Sequence, residues 1–143
     1  MALEYTRSEV KERAKTIWEG GCNVTLPSFS EDFSSLNEAG ITHDVKHAAS
    51  LGYWGTLVAS ESGTTFEEYK RFLEIAAKAA PAGFRIVAHL SFDTVEQAIE
   101  IARLGESLGI EAGLLSYPQS FRPKSAQDVI DHTRHVTEST DLA

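Results

Sequence analysis

Four short apolar runs recur along this chain about every thirty residues: CNVTL (22–26), WGTLVAS (54–60), FRIVAHL (84–90) and AGLLSY (112–117). They are continuous rather than alternating, as strands covered on both faces require. Each is followed by a stretch with helical spacing. This rhythm predicts βα units with parallel strands, and no other feature of the sequence constrains the fold as tightly. A doubly wound sheet and a piece of a (βα)8 barrel both satisfy it. No G-x-G-x-x-G follows a strand, so a dinucleotide site has no support.

The helices have their own signals. Residues 8–19, SEVKERAKTIWE, place Val10, Ala14, Ile17 and Trp18 on one stripe, and Gly20-Gly21 stops it. Ser28 to Gly40 reads as loop. Thr42 is expected to cap a helix running to Leu51, with Val45, Ala48 and Ala49 inward and Gly52 as terminator. Thr65 and Glu68 form a capping box ahead of FEEYKRFLEIAAKAA, which Pro81 ends. Asp93 or Thr94 opens the next helix and Gly109 closes it; Ser125 and Asp128 open the last.

Charge and length narrow the function classes. The 143 residues form one domain, 1–143, with 13 basic and 21 acidic side chains and a net charge of −8. An acidic surface without a basic stripe argues against nucleic acid and anionic membranes. No apolar run is long enough to span a bilayer, and the first fifteen residues lack the apolar core of a signal peptide. Cys22 is the one cysteine, so neither an internal disulfide nor a thiolate zinc site is expected, and a reducing cytoplasm fits. His43 and His47, and His132 and His135, have spacings that can hold a metal on one helix face. No third ligand is anchored near either pair, so both read as solvated faces and no metal is expected.

Four stretches carry a family resemblance: GYWGTLVASESGTTFEEYKRF, FRIVAHLSFDTVEQAIEIARLGESLGIEAGLL, SYPQSFRP and HTRHVTESTDLA. In order and spacing, from about Asn23 to Ala143, they resemble the dihydrodipicolinate synthase/N-acetylneuraminate lyase family of class I aldolases. The first resembles that family's second strand and its T-T-G-E turn, with Val58, Ala59, Ser60 and Glu61 on those four positions. Ser62, Thr64, Glu67 and Glu68 match family positions immediately after the turn. SYPQSFRP resembles T-P-Y-Y-N-K-P, the rim loop after the fourth strand. HTRHVTESTDLA resembles the helix that ends in T-D-L-P. The resemblance implies an α/β fold of parallel βα repeats, the first half of a TIM (βα)8 barrel preceded by an N-terminal helix. It further implies a cytoplasmic small-molecule enzyme, often tetrameric, that needs no cofactor and joins a lysine to pyruvate or a related 2-oxo acid as a Schiff base.

In such a barrel the chemistry sits at the C-terminal ends of the strands. The candidates there are Glu61 and His89 for catalysis or ordering of the pocket, and Val58, Ala59, Ser60, Ser62, Ser91, Tyr117 and Ser120 for substrate binding. Histidine titrates near neutrality, so His89 is either a pocket acid or base or a rim histidine bonded to a neighbouring loop. Tyr117 and Phe121 either line the pocket or pack beneath the rim. The departures from the family pattern are specific. Val58 and Ala59 replace the two threonines that commonly hold the substrate carboxylate. Gln119 and Ser120 stand where the rim loop has tyrosines, and His89 stands where glycine is frequent. The resemblance places the Schiff-base lysine on the sixth strand and the relay tyrosine on the fifth, beyond these residues, so the chain alone is expected to be inactive. The pattern fits a hydratase-aldolase or another 2-oxo acid lyase better than dihydrodipicolinate synthase itself.

Half a barrel leaves two open strand edges, and Val24, Leu26, Leu57, Val87 and Leu115 are expected to lose inward partners. The other readings are therefore a non-enzymatic half-barrel that self-associates, and a flavodoxin-like binding domain.

Overall fold

The structure, a computed structural model, describes residues 3–118 and 120–143. The elements run α1 (Val10–Ile17), β1 (Cys22–Thr25), α2 (Glu38–Ser50), β2 (Gly55–Val58), α3 (Phe66–Ala79), β3 (Arg85–Leu90), α4 (Val95–Leu108), β4 (Ala112–Leu115) and α5 (Ala126–Thr137). The four strands form one parallel sheet in the order β1-β2-β3-β4. A doubly wound sheet reverses direction part-way and places later strands on the far side of β1. A strictly sequential order is instead the course of a barrel wall, and the fold is the first half of a TIM barrel.

Local signals account for most boundaries. Thr65 and Glu68 make the capping box of α3, and Ser125 and Asp128 make that of α5. The Thr94 side chain accepts from the Gln97 N–H at the start of α4, and Gly109 ends that helix in the left-handed region at φ 70°. Helix α2 differs from the sequence expectation. It starts at Glu38 because Asn37, not Thr42, is its cap, with Oδ1 accepting from the Gly40 N–H at 3.0 Å. Gly40 therefore sits inside the helix. Its missing side chain makes room for Ser28, whose Cβ and Oγ would stand only 3.0 Å from a Cβ there.

One face of the sheet is covered by α2, α3 and α4. Val58, Ile86, Ala88 and Leu90 point that way and pack with Ile41, Val45, Phe72, Leu73 and Ile101 into the core. The opposite face corresponds to the barrel interior. Register sets Val24, Leu57 and Val87 side by side there, and His89 beside Leu114. The inward leucine of β4 is thus Leu114, 47 % exposed, whereas Leu115 packs against the helix-side core. A one-residue shift in register reverses every side chain of a strand, and the apolar run AGLLSY does not by itself say which leucine faces inward.

The N-terminal segment closes the N-terminal ends of the strands. Arg13 of α1 grips Glu111, which is 4 % exposed, through Nε at 2.6 Å and Nη2 at 3.0 Å. Trp18 donates to the same carboxylate at 3.3 Å and stacks on Trp54 at 5.7 Å. Glu4 bridges Arg13 and Arg85, each at 2.9 Å. The opposite end, where the strands finish, is left open.

Candidate functional site at the C-terminal strand ends

Tyr69 organises this end. It lies on the inner side of α3 and is 1 % exposed. Its hydroxyl donates to the Val58 carbonyl at 2.9 Å and accepts from the His89 N–H at 2.9 Å. One phenol therefore ties the last residue of β2 to β3. Burial pushes its pKa well above the usual phenol value, so it is a neutral structural group across the ordinary pH range.

His89 projects from the inner face of β3 and is held at both ring nitrogens. Nδ1 lies 3.4 Å from the Ser60 N–H and 3.0 Å from Ser60 Oγ. Nε2 lies 2.9 Å from Ser116 Oγ. A backbone N–H can only donate, so this contact favours Nδ1 as the acceptor and the ring proton on Nε2; Ser60 Oγ, with one proton, then serves either Nδ1 or the Ser91 carbonyl. Burial holds the imidazole below its usual pKa, with the Glu61 carboxylate pulling the other way. His89 is thus neutral at pH 7, and in the Nε2–H tautomer it donates to Ser116. Ser60 Oγ also reaches the Ser91 carbonyl at 3.2 Å, and Ser91 Oγ donates to Glu61.

The remaining candidates separate into groups. Ala59 lies on the inner side beside His89, and its N–H donates to the Thr25 carbonyl at 3.2 Å. The Val58 side chain is fully buried among the helices. Ser62 Oγ donates to the Ala59 carbonyl at 2.9 Å, fastening the turn. Ser120 donates to Asp93 at 2.7 Å. Tyr117 stacks on Phe121 at 5.1 Å, both rings lie against His132, and the Tyr117 hydroxyl meets Thr133 Oγ1 at 2.6 Å. This aromatic group anchors the rim loop to α5. Gln119 lies outside the described residues.

A cleft of about 470 Å³ opens between the first turns of α3 and α4, lined by Glu61, Thr64, Ser91, Asp93, Gln97 and Ser120 among others. Its charged groups are Glu61 and Asp93, and among the described residues no lysine or arginine lines it. Thr64 Oγ1 is buried there without a hydrogen-bond partner. Among the described residues no group of three potential ligands could hold a metal. Every lysine stands away from the strand ends: Lys11 and Lys15 on α1, Lys46 on α2, Lys70 and Lys78 on α3, and Lys124 just ahead of α5.

Sequence reasoning misses Tyr69 and Ser116. Ser116 is legible in principle, because it directly follows β4 and lies two residues beyond Leu114 on the same face as His89. Tyr69 carries no signal beyond an aromatic residue on an inward helix stripe.

No family model matches the chain. Individual proteins do. It is 26% identical over 128 residues to the 4-hydroxy-tetrahydrodipicolinate synthase of Methanothermobacter thermautotrophicus, covering 87% of this chain and 44% of that one. It is 30% identical over 111 residues to the enzyme of the same name from Phenylobacterium zucineum, covering 77% and 36%. The chain is related to the N-terminal half of the dihydrodipicolinate synthase/N-acetylneuraminate lyase family. Solved structures agree on the fold. A DHDPS from Cyanidioschyzon merolae, with lysine bound, superposes with a TM-score of 0.78 at 19% identity, over 87% of this chain and 44% of that one. N-acetylneuraminate lyase from Fusobacterium nucleatum gives 0.78 at 20% identity over the same shares. The chain thus spans less than half the length of the family members it matches.

Proposed function

We propose that this chain forms the substrate-holding half of a Schiff-base lyase or aldolase site for pyruvate or a related 2-oxo acid. The amine and the relay tyrosine come from residues outside these 143. The observation that carries this reading is the neutral polar cluster Ser60–His89–Ser116 at the inner strand ends, with no lysine near it. A 2-oxo acid is an anion, and the charge that acts on His89 is the carboxylate of Glu61. Neutral donors on this half therefore require a cation from the other half, which is the part a Schiff-base lysine plays before it condenses. The chain then binds a 2-oxo acid weakly by itself and forms no covalent adduct. The candidates Glu61, Ser60, Ser62 and Ser91 shape the turns around the ligand, and His89 fixes a donor rather than transferring a proton. The lone, unpaired Cys22 fits a reducing, cytoplasmic setting. Among the described residues no helix is long and apolar enough to cross a membrane.

The test is intact mass after incubation with pyruvate and borohydride, alongside equilibrium dialysis with labelled pyruvate. Weak retention without an adduct supports the proposal. A trapped adduct on this chain overturns the division of labour.

A second reading is a self-associating half-barrel, with or without ligand. It is favoured by Val24 and Leu114, 52 % and 47 % exposed on the inner face, and by β1 and β4 each pairing on one side only. Sedimentation decides it: a concentration-independent dimer supports self-pairing and a monomer removes it.

A further inference from the structure

We propose that Ser116 is the ligand-contacting donor of this half-site and that His89 is its positioning residue, taking over from the rim-loop position occupied by Ser120. This rests on the 2-oxo acid reading of the same site. Three observations carry it. Register puts His89 and Leu114 side by side on the inner face, so Ser116, two residues past Leu114, lies on that face at the open end of the sheet. The Ser60 N–H, 3.4 Å from Nδ1, favours the tautomer in which the imidazole donates from Nε2, and in that tautomer Ser116 Oγ, 2.9 Å away, is an acceptor. Ser116 Oγ has no other partner among the described residues, so its own proton is left to donate to a ligand. Ser120, by contrast, already donates to Asp93 at 2.7 Å.

A hydroxyl that accepts a hydrogen bond donates a stronger one, because successive bonds polarise each other. Ser116 is therefore suited to the carbonyl or carboxylate oxygen of a small oxo acid. No proton transfer is implied. Imidazole in this tautomer gives Ser116 a fixed orientation, and the neutral ring adds no charge.

The experiment is NMR on the 143-residue chain with 15N-labelled histidine and backbone, titrated with pyruvate. The free protein is expected to show His89 protonated at Nε2 and bare at Nδ1. Pyruvate is expected to move both the His89 Nε2 signal and the strand-end amides of Ala59 and Ser60. Ser116→Ala should abolish the His89 response and weaken pyruvate binding roughly tenfold, the loss of one hydrogen bond to a charged group. Ser116→Thr, which keeps the hydroxyl, should restore both, and Ser120→Ala should change neither. Preserved amide dispersion certifies the fold of each variant. An Nδ1-protonated ring, or a His89 response that survives Ser116→Ala, overturns the inference. Amide shifts at Ala59 and Ser60 with a silent His89 overturn it while leaving the 2-oxo acid site standing. No shift anywhere overturns both.

Discussion

Replacing Tyr69 by phenylalanine removes one oxygen and leaves the ring packing intact, including edge contacts to Phe72 at 6.4 Å and Phe92 at 5.3 Å. That oxygen serves two backbone groups, the Val58 carbonyl and the His89 N–H, in a residue that is 1 % exposed. Deleting a partner from a buried backbone group costs about 1–3 kcal/mol, and two groups lose theirs here while partial relaxation recovers some of it. The expected loss is about 2–3 kcal/mol, or roughly 5–10 °C in Tm for a domain of this size. Thermal denaturation followed by circular dichroism measures it, and hydrogen exchange should show the His89 amide opening first. The phenol also adds a pH signature. Its pKa is raised in the fold, so the stability it contributes is present below the unfolded value of about 10 and is lost as pH rises beyond it. Wild type should therefore lose stability in alkali more steeply than the variant. A Tm within about 1 °C of wild type, with an unchanged His89 amide, would refute the claim that this hydroxyl fastens the strand ends.

Further predictions concern other parts of the scaffold. His89 has a depressed pKa, so its contribution is present above the unfolded value of about 6.5 and falls as the pH drops; His89→Gln should flatten that acid limb in urea titrations. Glu111→Ala leaves Arg13 and Arg85 facing an empty buried position and should cost about 3–5 kcal/mol in chemical denaturation. Gly55→Ala drives a Cβ to 2.6 Å from the Arg85 carbonyl oxygen, so a loss of about 1–3 kcal/mol is expected in the same assay. Thr65→Ala removes one half of the α3 capping box and should cost about 1 kcal/mol in thermal melts.

Much of the architecture is legible because it is encoded locally. The apolar runs, the two capping boxes and the Gly109 terminator each act within a few residues, so βα units can be read in order. What decides a barrel against a doubly wound sheet is which strands lie side by side, and that is a long-range fact. Asn37 is hidden as a cap because Gly40 looks like the end of a loop, and only the close approach of Ser28 explains a glycine inside the helix. The site is legible as a region: Ser60, His89, Ser91 and Glu61 do come together. Their pairings are not, since His89 reaches one loop through Ser60 and another strand through Ser116. Tyr117 and Ser120 sit on the expected loop but point to α5 and Asp93, directions that depend on packing rather than on spacing.

The central claim is that the open C-terminal ends of these four strands hold a small oxo acid with neutral donors and no amine of their own. A backbone amide titration with pyruvate tests it most directly. Weak, saturable shifts confined to Ala59–Ser62, His89 and Ser116 are predicted, with all lysine side chains unaltered. Shifts centred instead on the Arg13–Glu111 end of the sheet, or a covalent change at any lysine, would contradict it.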